Sequence, residues 1–172
     1  SMTIWAMVET PTAIFDVRSL AAHPRVSVLV MGTNDLAKEL RADPGPERGP
    51  LLPHLSTALL AAREADIAIL DGVYNAYKDT DGLERECRHG LEMGFDGKTL
   101  IHPAQLDVAN EAFSPSEAEA DLARRQIEAF DEMQATGQGV AVVDGRIVEN
   151  LHVATARETL AKLDAIAALQ TE

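Results

Sequence analysis

Apolar residues in this chain fall in short unbroken runs, separated by stretches in which they recur every three or four positions. The first run, Ile4-Trp5-Ala6-Met7-Val8, reads as a buried strand that stops at Glu9-Thr10-Pro11. A helix is predicted to start there. Thr10 can cap it, Pro11 suits the first helical position because its missing N–H would be unpaired anyway, and Ile14, Val17 and Ala21 follow at helical spacing. Val26 to Met31 repeats the strand, ends at Gly32-Thr33-Asn34-Asp35, and runs into a short helix around Leu36 to Leu40. Asp43 to Pro50 holds three prolines and two glycines in eight positions, which predicts an exposed loop. The next helix carries Leu52, Leu55, Leu59 and Ala62 on one face and leads to a third strand, Ile67 to Leu70, ending at Asp71-Gly72. Leu83, Cys87 and Leu91 then mark a helical face that Gly94 is placed to end, which makes Cys87 a core residue. Gly97 to Ile101 is the fourth strand, ending at His102-Pro103. Four continuously apolar strands alternating with helices predict an α/β fold, with a parallel sheet covered on both faces.

The remainder differs in character. Ser116 with Glu119 three residues later is a capping box, and its helix runs to Thr136, where Gly137 and Gly139 end it. Val140 to Val143, Asp144-Gly145 and Arg146 to Val148 form a tight β-hairpin signal. A last helix carries Val153, Ala156, Leu160, Leu163 and Ala167 on one stripe. The expected division is residues 1–113 as a βα-repeat domain and 114–172 as a lid or docking arm.

Composition narrows the classes. The 172 residues carry 15 Lys plus Arg against 28 Asp plus Glu, a formal charge of −13 that repels nucleic acid and anionic membrane. At 46% apolar and 25% charged residues the chain can bury a substantial core. No apolar run approaches the roughly 20 residues that span a bilayer, and no basic flank with an apolar core opens the sequence, so a cytoplasmic setting is expected. One cysteine, Cys87, allows neither an internal disulfide nor a cysteine zinc ribbon.

In parallel α/β architectures the site lies at the C-terminal ends of the strands, here marked by Glu9, Asp35, Asp71 and His102. Glu9 and Asp35 end consecutive strands 26 positions apart. Neighbouring strands lie about 4.8 Å apart, so the two carboxylates can share one cation, and one or two carboxylates with water or substrate oxygens suit Mg2+. Acidic residues at these ends also serve as helix caps, and spacing alone leaves both readings open. His102 divides between fixing a turn as a cap and contacting a pocket, and Asp71 between turn chemistry and pocket contact. Asp144-Gly145 reads as a turn, and Arg146 as a solvated charge.

Trp5-Ala6-Met7-Val8-Glu9-Thr10-Pro11, Gly32-Thr33-Asn34-Asp35-Leu36-Ala37, Leu70-Asp71-Gly72-Val73-Tyr74 and Gly94 to Gln105 resemble the citrate lyase β-subunit-like proteins of the HpcH/HpaI aldolase superfamily, which includes malyl-CoA and citramalyl-CoA lyases. The resemblance implies the C-terminal half of a (β/α)8 TIM barrel, followed by a helix, β-hairpin and helix lid. It implies Mg2+ held by Glu9 and Asp35, and Gly32, Thr33, Asn34, Asp71 and His102 lining the substrate pocket. It implies cleavage of a carbon–carbon bond in a 3-hydroxy acyl-CoA, such as citramalyl-CoA or malyl-CoA, to acetyl-CoA and an α-keto acid. The substrate would be an acyl-CoA or acyl-carrier thioester, and the protein a homo-oligomer whose lid reaches a neighbouring subunit. Glu149 stands where the lyases carry an acidic acid/base residue, usually an aspartate. Lys98 could attract a CoA phosphate, but a lysine before a strand reads as an exposed charge.

A complete barrel of this kind has about 250 residues, whereas four βα units are legible here. The family's first half supplies a carboxylate-binding arginine, and no residue in this sequence corresponds to those strands. A fragment, a truncated product and a half-barrel that pairs with itself or with a separate first half all stay open. A malyl-CoA thioesterase activity of the same metal site and a non-catalytic binding or assembly protein are the alternatives to the lyase.

Overall fold

The computed structural model describes residues 2–137 and 139–169 of the chain. Two compact units divide it, Ser1–Phe113 and Ser114–Glu172.

The first unit is an α/β fold built on one four-stranded parallel sheet whose strands follow one another in sequence order. Its elements are β1 (Ile4–Val8), α1 (Pro11–Phe15), α2 (Val17–Ala21), β2 (Val26–Met31), α3 (Thr33–Leu40), α4 (Leu52–Glu64), β3 (Ala68–Asp71), α5 (Thr80–Met93), β4 (Gly97–Lys98) and α6 (Leu106–Phe113). Thr10 caps α1 as expected, its side chain accepting the Ala13 N–H at 3.1 Å, and the helical stripe continues into α2 after a break at Asp16. One face of the sheet, with Val8, Leu29, Met31 and Ile69, packs on Ile14, Val17, Leu55, Leu59, Leu83 and Cys87 from the helices. Cys87 is a core residue.

Three expectations change. β1 is an edge strand, and only the Ala6 and Val8 side of it is packed: Trp5 is 63% and Met7 53% exposed, so the predicted double cover fails on this edge. The fourth strand is shorter than predicted, because after Lys98 the chain bonds to Asp71 through Thr99, whose N–H and hydroxyl both donate to the Asp71 carbonyl at 3.0 and 3.1 Å. On α5 the buried line runs through Leu83, Cys87 and Gly90, while Leu91 is exposed. A Cβ at Gly90 would stand 3.1 Å from the Asp71 carboxylate, so the position facing the sheet has no room for a leucine.

The second unit contains α7 (Glu117–Thr136), the antiparallel hairpin β5 (Ala141–Val143) and β6 (Arg146–Val148), and α8 (Asn150–Leu169). Asp144 and Gly145 both hold positive φ, 51° and 75°, which is the turn that matches strand twist. Arg125 on α7 pins that turn, donating to Asp144 at 2.7 Å and holding its carboxyl below the usual range. Phe130, Ala141, Val148 and Val153 form the core of this unit. Among the described residues, no helix is long and apolar enough to cross a membrane.

The capping box is complete. Ser116 donates from N–H and hydroxyl to Glu119, each at 2.7 Å, and Glu119 N–H donates back at 3.2 Å, which lowers the Glu119 pKa. Ser116→Ala is expected to cost about 1 kcal/mol in urea unfolding at neutral pH. A carboxyl with a lowered folded pKa stabilises above its unfolded value and loses that contribution as pH falls through the lowered one. The gap between wild type and Ser116→Ala therefore narrows on acidification to about pH 3.

Candidate functional site

The C-terminal edge of the sheet gathers the candidate residues because β1 and β2 run in register, with Val8 beside Met31. Glu9 follows Val8, and the Gly32 N–H closes the edge by donating to the Val8 carbonyl at 3.0 Å. The Glu9 side chain lies over Gly32: a Cβ there would overlap Glu9 Cβ and stand 2.6 Å from Oε2. Gly32 has an ordinary negative φ of −90°, so this close approach, and no backbone requirement, demands glycine. Asp35 is exposed in the first turn of α3, which opens directly after Gly32. Strand order and register thus bring Glu9 and Asp35 to one rim. Among the described residues no group of three or more His, Cys, Asp or Glu is placed to hold a metal.

The same arrangement repeats one strand further on. The Thr33 side chain, 8% exposed, lies over Gly72 at the end of β3. Asn34 and Asn75 exchange amide hydrogen bonds, Asn34 Nδ2 donating to Asn75 Oδ1 at 3.0 Å and Asn75 Nδ2 to Asn34 Oδ1 at 2.7 Å. A cavity of about 390 Å³ opens beside them, walled by Thr33, Asn34, Ala37, Val73, Tyr74 and Arg48 among others. Gly32, Thr33 and Asn34 therefore all sit at the rim.

Asp71, expected as a substrate-binding residue, is corrected by its position. It shares the parity of Ile69, so its side chain turns to the helix side of the sheet, and it is 0% exposed. Arg48 Nη1 donates to both carboxylate oxygens at 2.8 and 2.7 Å, Lys98 Nζ to one at 3.2 Å, and the Gly72 N–H to the other at 2.8 Å. Glu86 on α5 completes the group, 2.5 Å from Lys98 Nζ. Two cations and two carboxylates thus balance, with Asp71 and Lys98 fully buried and Arg48 and Glu86 at the margin of the group. Lys98, read from sequence as exposed, is buried because β4 pairs with β3 and sets it beside Asp71. Arg48, in a loop expected to be exposed throughout, is 5% exposed. Neither reversal has a sequence signal of its own, because each depends on a partner more than twenty positions away.

His102 is a cap: its Nδ1 accepts the Ala104 N–H at 3.1 Å, and its exposed ring stacks on Tyr77 with centroids 4.4 Å apart. Gln105, not singled out by the sequence, is buried and ties the rim together, accepting from Ile101 N–H at 3.0 Å and donating to the Tyr74 carbonyl at 2.8 Å. Asp79 caps α5 by accepting the Gly82 N–H at 3.0 Å, and the Tyr74 hydroxyl donates to it at 2.7 Å. That hydroxyl bond is the main reason the Asp79 pKa is lowered and the Tyr74 pKa raised. Glu149 lies in the second unit, exposed, with its N–H donating to His152 Nδ1 at 2.9 Å at the start of α8.

Comparison with known proteins places the chain in a family. The profile of the HpcH/HpaI aldolase/citrate lyase family matches residues 1–103, and the chain belongs to that family. A (3S)-malyl-CoA thioesterase of Cereibacter sphaeroides is 62% identical over 96% of this chain and 58% of its own length. The citrate lyase subunit beta of Escherichia coli is 33% identical over 95% of this chain and 55% of its own. The crystal structure of CitE from Mycobacterium tuberculosis in complex with magnesium, acetoacetate and coenzyme A superposes with a TM-score of 0.75 at 26% identity, covering 93% of this chain and 60% of that one. The chain thus spans a little under 60% of the relatives' length.

Removing one member of the buried ionic group leaves an uncompensated charge. Lys98→Met is expected to lower unfolding free energy by about 3 kcal/mol. Arg18→Ala, which breaks an ion pair to Glu64 whose side chains are 78% and 52% exposed, is expected to leave the urea midpoint almost unchanged.

Proposed function

We propose that this member of the HpcH/HpaI aldolase/citrate lyase family carries the metal-binding rim of an enzyme that hydrolyses the CoA thioester of a short hydroxy-dicarboxylic acid, of the (3S)-malyl-CoA kind. The observation that carries this reading is the 62% identity to the thioesterase across nearly the whole chain, against 33% to the citrate lyase subunit. It moves the preference from the lyase read in the sequence to the thioesterase that stood as its alternative. In the same proposal unit 1–113 is the second half of a (β/α)8 barrel, the open Trp5 and Met7 face is where the first half packs, and unit 114–172 is a lid that reaches a neighbouring copy.

The donor set fits Mg2+. Glu9 and Asp35 offer oxygen ligands only, and Gly32 leaves room for the Glu9 carboxylate at the rim. Bound there, Mg2+ supplies a Lewis acid and a template for the thioester carbonyl and its neighbouring oxygens. Thr33 and Asn34 shape the wall beside the carboxylates. Glu149 is the proposed acid/base residue: it takes a proton as water adds to the thioester carbonyl carbon, and returns one to sulfur as the C–S bond breaks. The products are the free hydroxy acid and CoA. In the lyase reading the same carboxylate pair serves, but a carbon–carbon bond breaks and the thioester survives in acetyl-CoA.

The test follows both products from malyl-CoA, free thiol for hydrolysis and acetyl-CoA for cleavage. It uses the 172-residue chain alone and with the first half of the thioesterase relative added in trans. Mg2+-dependent thiol release is expected, reduced at least about a hundredfold by Asp35→Asn or Glu9→Gln. Acetyl-CoA without free thiol restores the lyase, and turnover in neither arrangement removes both enzymatic readings.

A further inference from the structure

We propose that Gly72 is a positioning residue for the Asp35 carboxylate, acting through the side chain of Thr33. The proposal deepens the reading of Asp35 as a metal ligand and rests on it. Asp35 stands in the first turn of α3, whose N-cap is Gly32 and which receives no side-chain cap hydrogen bond. The aim of that turn therefore depends on what grips the two residues ahead of Asp35. Both grips come from one short segment after β3. Thr33 lies against Gly72, and Asn34 is held in the reciprocal amide pair with Asn75.

That segment cannot retreat. Its start is fixed by the Gly72 N–H donating to Asp71, whose carboxylate is clamped by Arg48 and Lys98 in the buried ionic group. Its middle is fixed by Gln105 donating to the Tyr74 carbonyl. A Cβ at Gly72 would overlap Thr33 Oγ1 and stand 2.5 Å from Cγ2 and 2.8 Å from Cβ. Gly72 does not occupy the left-handed region, so alanine is acceptable to its backbone, and the nearest obstacle to a methyl group is Thr33. With Gly72 anchored from below, the part that must move is Thr33, and the turn bearing Asp35 moves with it. Charge balance in the core is in this way converted into the position of a rim carboxylate two residues beyond the contact.

The experiment uses the full 172-residue chain and Mn2+ as the probe. Free Mn2+ is read by electron paramagnetic resonance, and the amide resonances of residues 33–36 by two-dimensional NMR. Gly72→Ala is expected to weaken Mn2+ binding about tenfold and to shift the 33–36 amides, with helix content retained. Thr33→Ala with Gly72→Ala removes Oγ1 and Cγ2, the two atoms the new methyl strikes hardest, leaves the residue-33 Cβ 2.8 Å from it, and is expected to recover part of both signals. A merely structural role for Gly72 makes the double variant additive, and that result overturns the proposal. So does a Gly72→Ala chain with wild-type affinity and unmoved amides. If Asp35→Asn binds Mn2+ like wild type while the Thr33 and Gly72 coupling appears in the amides, the metal reading of Asp35 fails and the positioning of its helical turn stands.

Discussion

The structure of the first unit depends on four charges at the margin of its core, where the Asp71 and Lys98 side chains are fully buried and those of Arg48 and Glu86 are 5% and 12% exposed. Arg48, Asp71, Lys98 and Glu86 come from a Pro- and Gly-rich loop, the end of β3, β4 and α5, so their mutual attraction joins four segments of the chain. Burying such a group costs desolvation that the pairing largely offsets, so its net stabilisation is small beside the cost of removing one member. Its value is positional. A carboxylate with two cations and a backbone N–H around it is held from several directions at once. The loop that delivers Arg48 adopts φ +52° at that residue, a conformation that a side chain rarely holds without such compensation.

From that fixed point the rim is built by glycines that act through absence. Gly90 admits the Asp71 carboxylate beneath α5, Gly72 admits Thr33, and Gly32 admits Glu9. Each takes a side chain from the adjoining segment across a gap that a methyl group would close. None of the three relies on a left-handed backbone, which distinguishes them from Gly94 and Gly145, where φ of +106° and +75° ends a helix and turns a hairpin. The two kinds of glycine look alike in sequence and respond differently to alanine. At the first kind the neighbour is displaced, whereas at the second the backbone is strained.

What the sequence made legible follows the range of each interaction. The strand and helix order, the Thr10 and Ser116 caps, the Asp144-Gly145 turn and the burial of Cys87 rest on local pattern, and the structure contains all of them. That Glu9 and Asp35 share a rim was legible because the ends of neighbouring parallel strands lie together whatever the details of packing. Lys98 and Asp71 were misread because a two-residue strand pairing sets them face to face on the helix side, and no local period carries that information. The exposure of Trp5 and Met7 was not legible because a continuous apolar run looks the same on a central strand and on an edge. Arg48 hid inside a composition that otherwise signals an exposed loop.

The contrast between hydrolysis and carbon–carbon cleavage bears on where specificity resides. Both reactions use a carboxylate-held cation next to a thioester and differ in whether water reaches the carbonyl carbon while the acyl group is bound. The rim carboxylates alone do not separate the two, since both outcomes use the same pair. Separation falls to the groups that control water access beside them. On the proposed reading those groups would be the walls of the cavity next to Thr33 and Asn34, where Asn34 and Asn75 exchange amide hydrogen bonds beside Ala37, Val73 and Ala76, with Arg48 and Glu86 also in the lining. On the proposed reading, a wall whose polar groups are already paired guides water less than it shapes the bound acyl chain. The proton-handling residue then has to be delivered from outside the rim, which is the part given to Glu149.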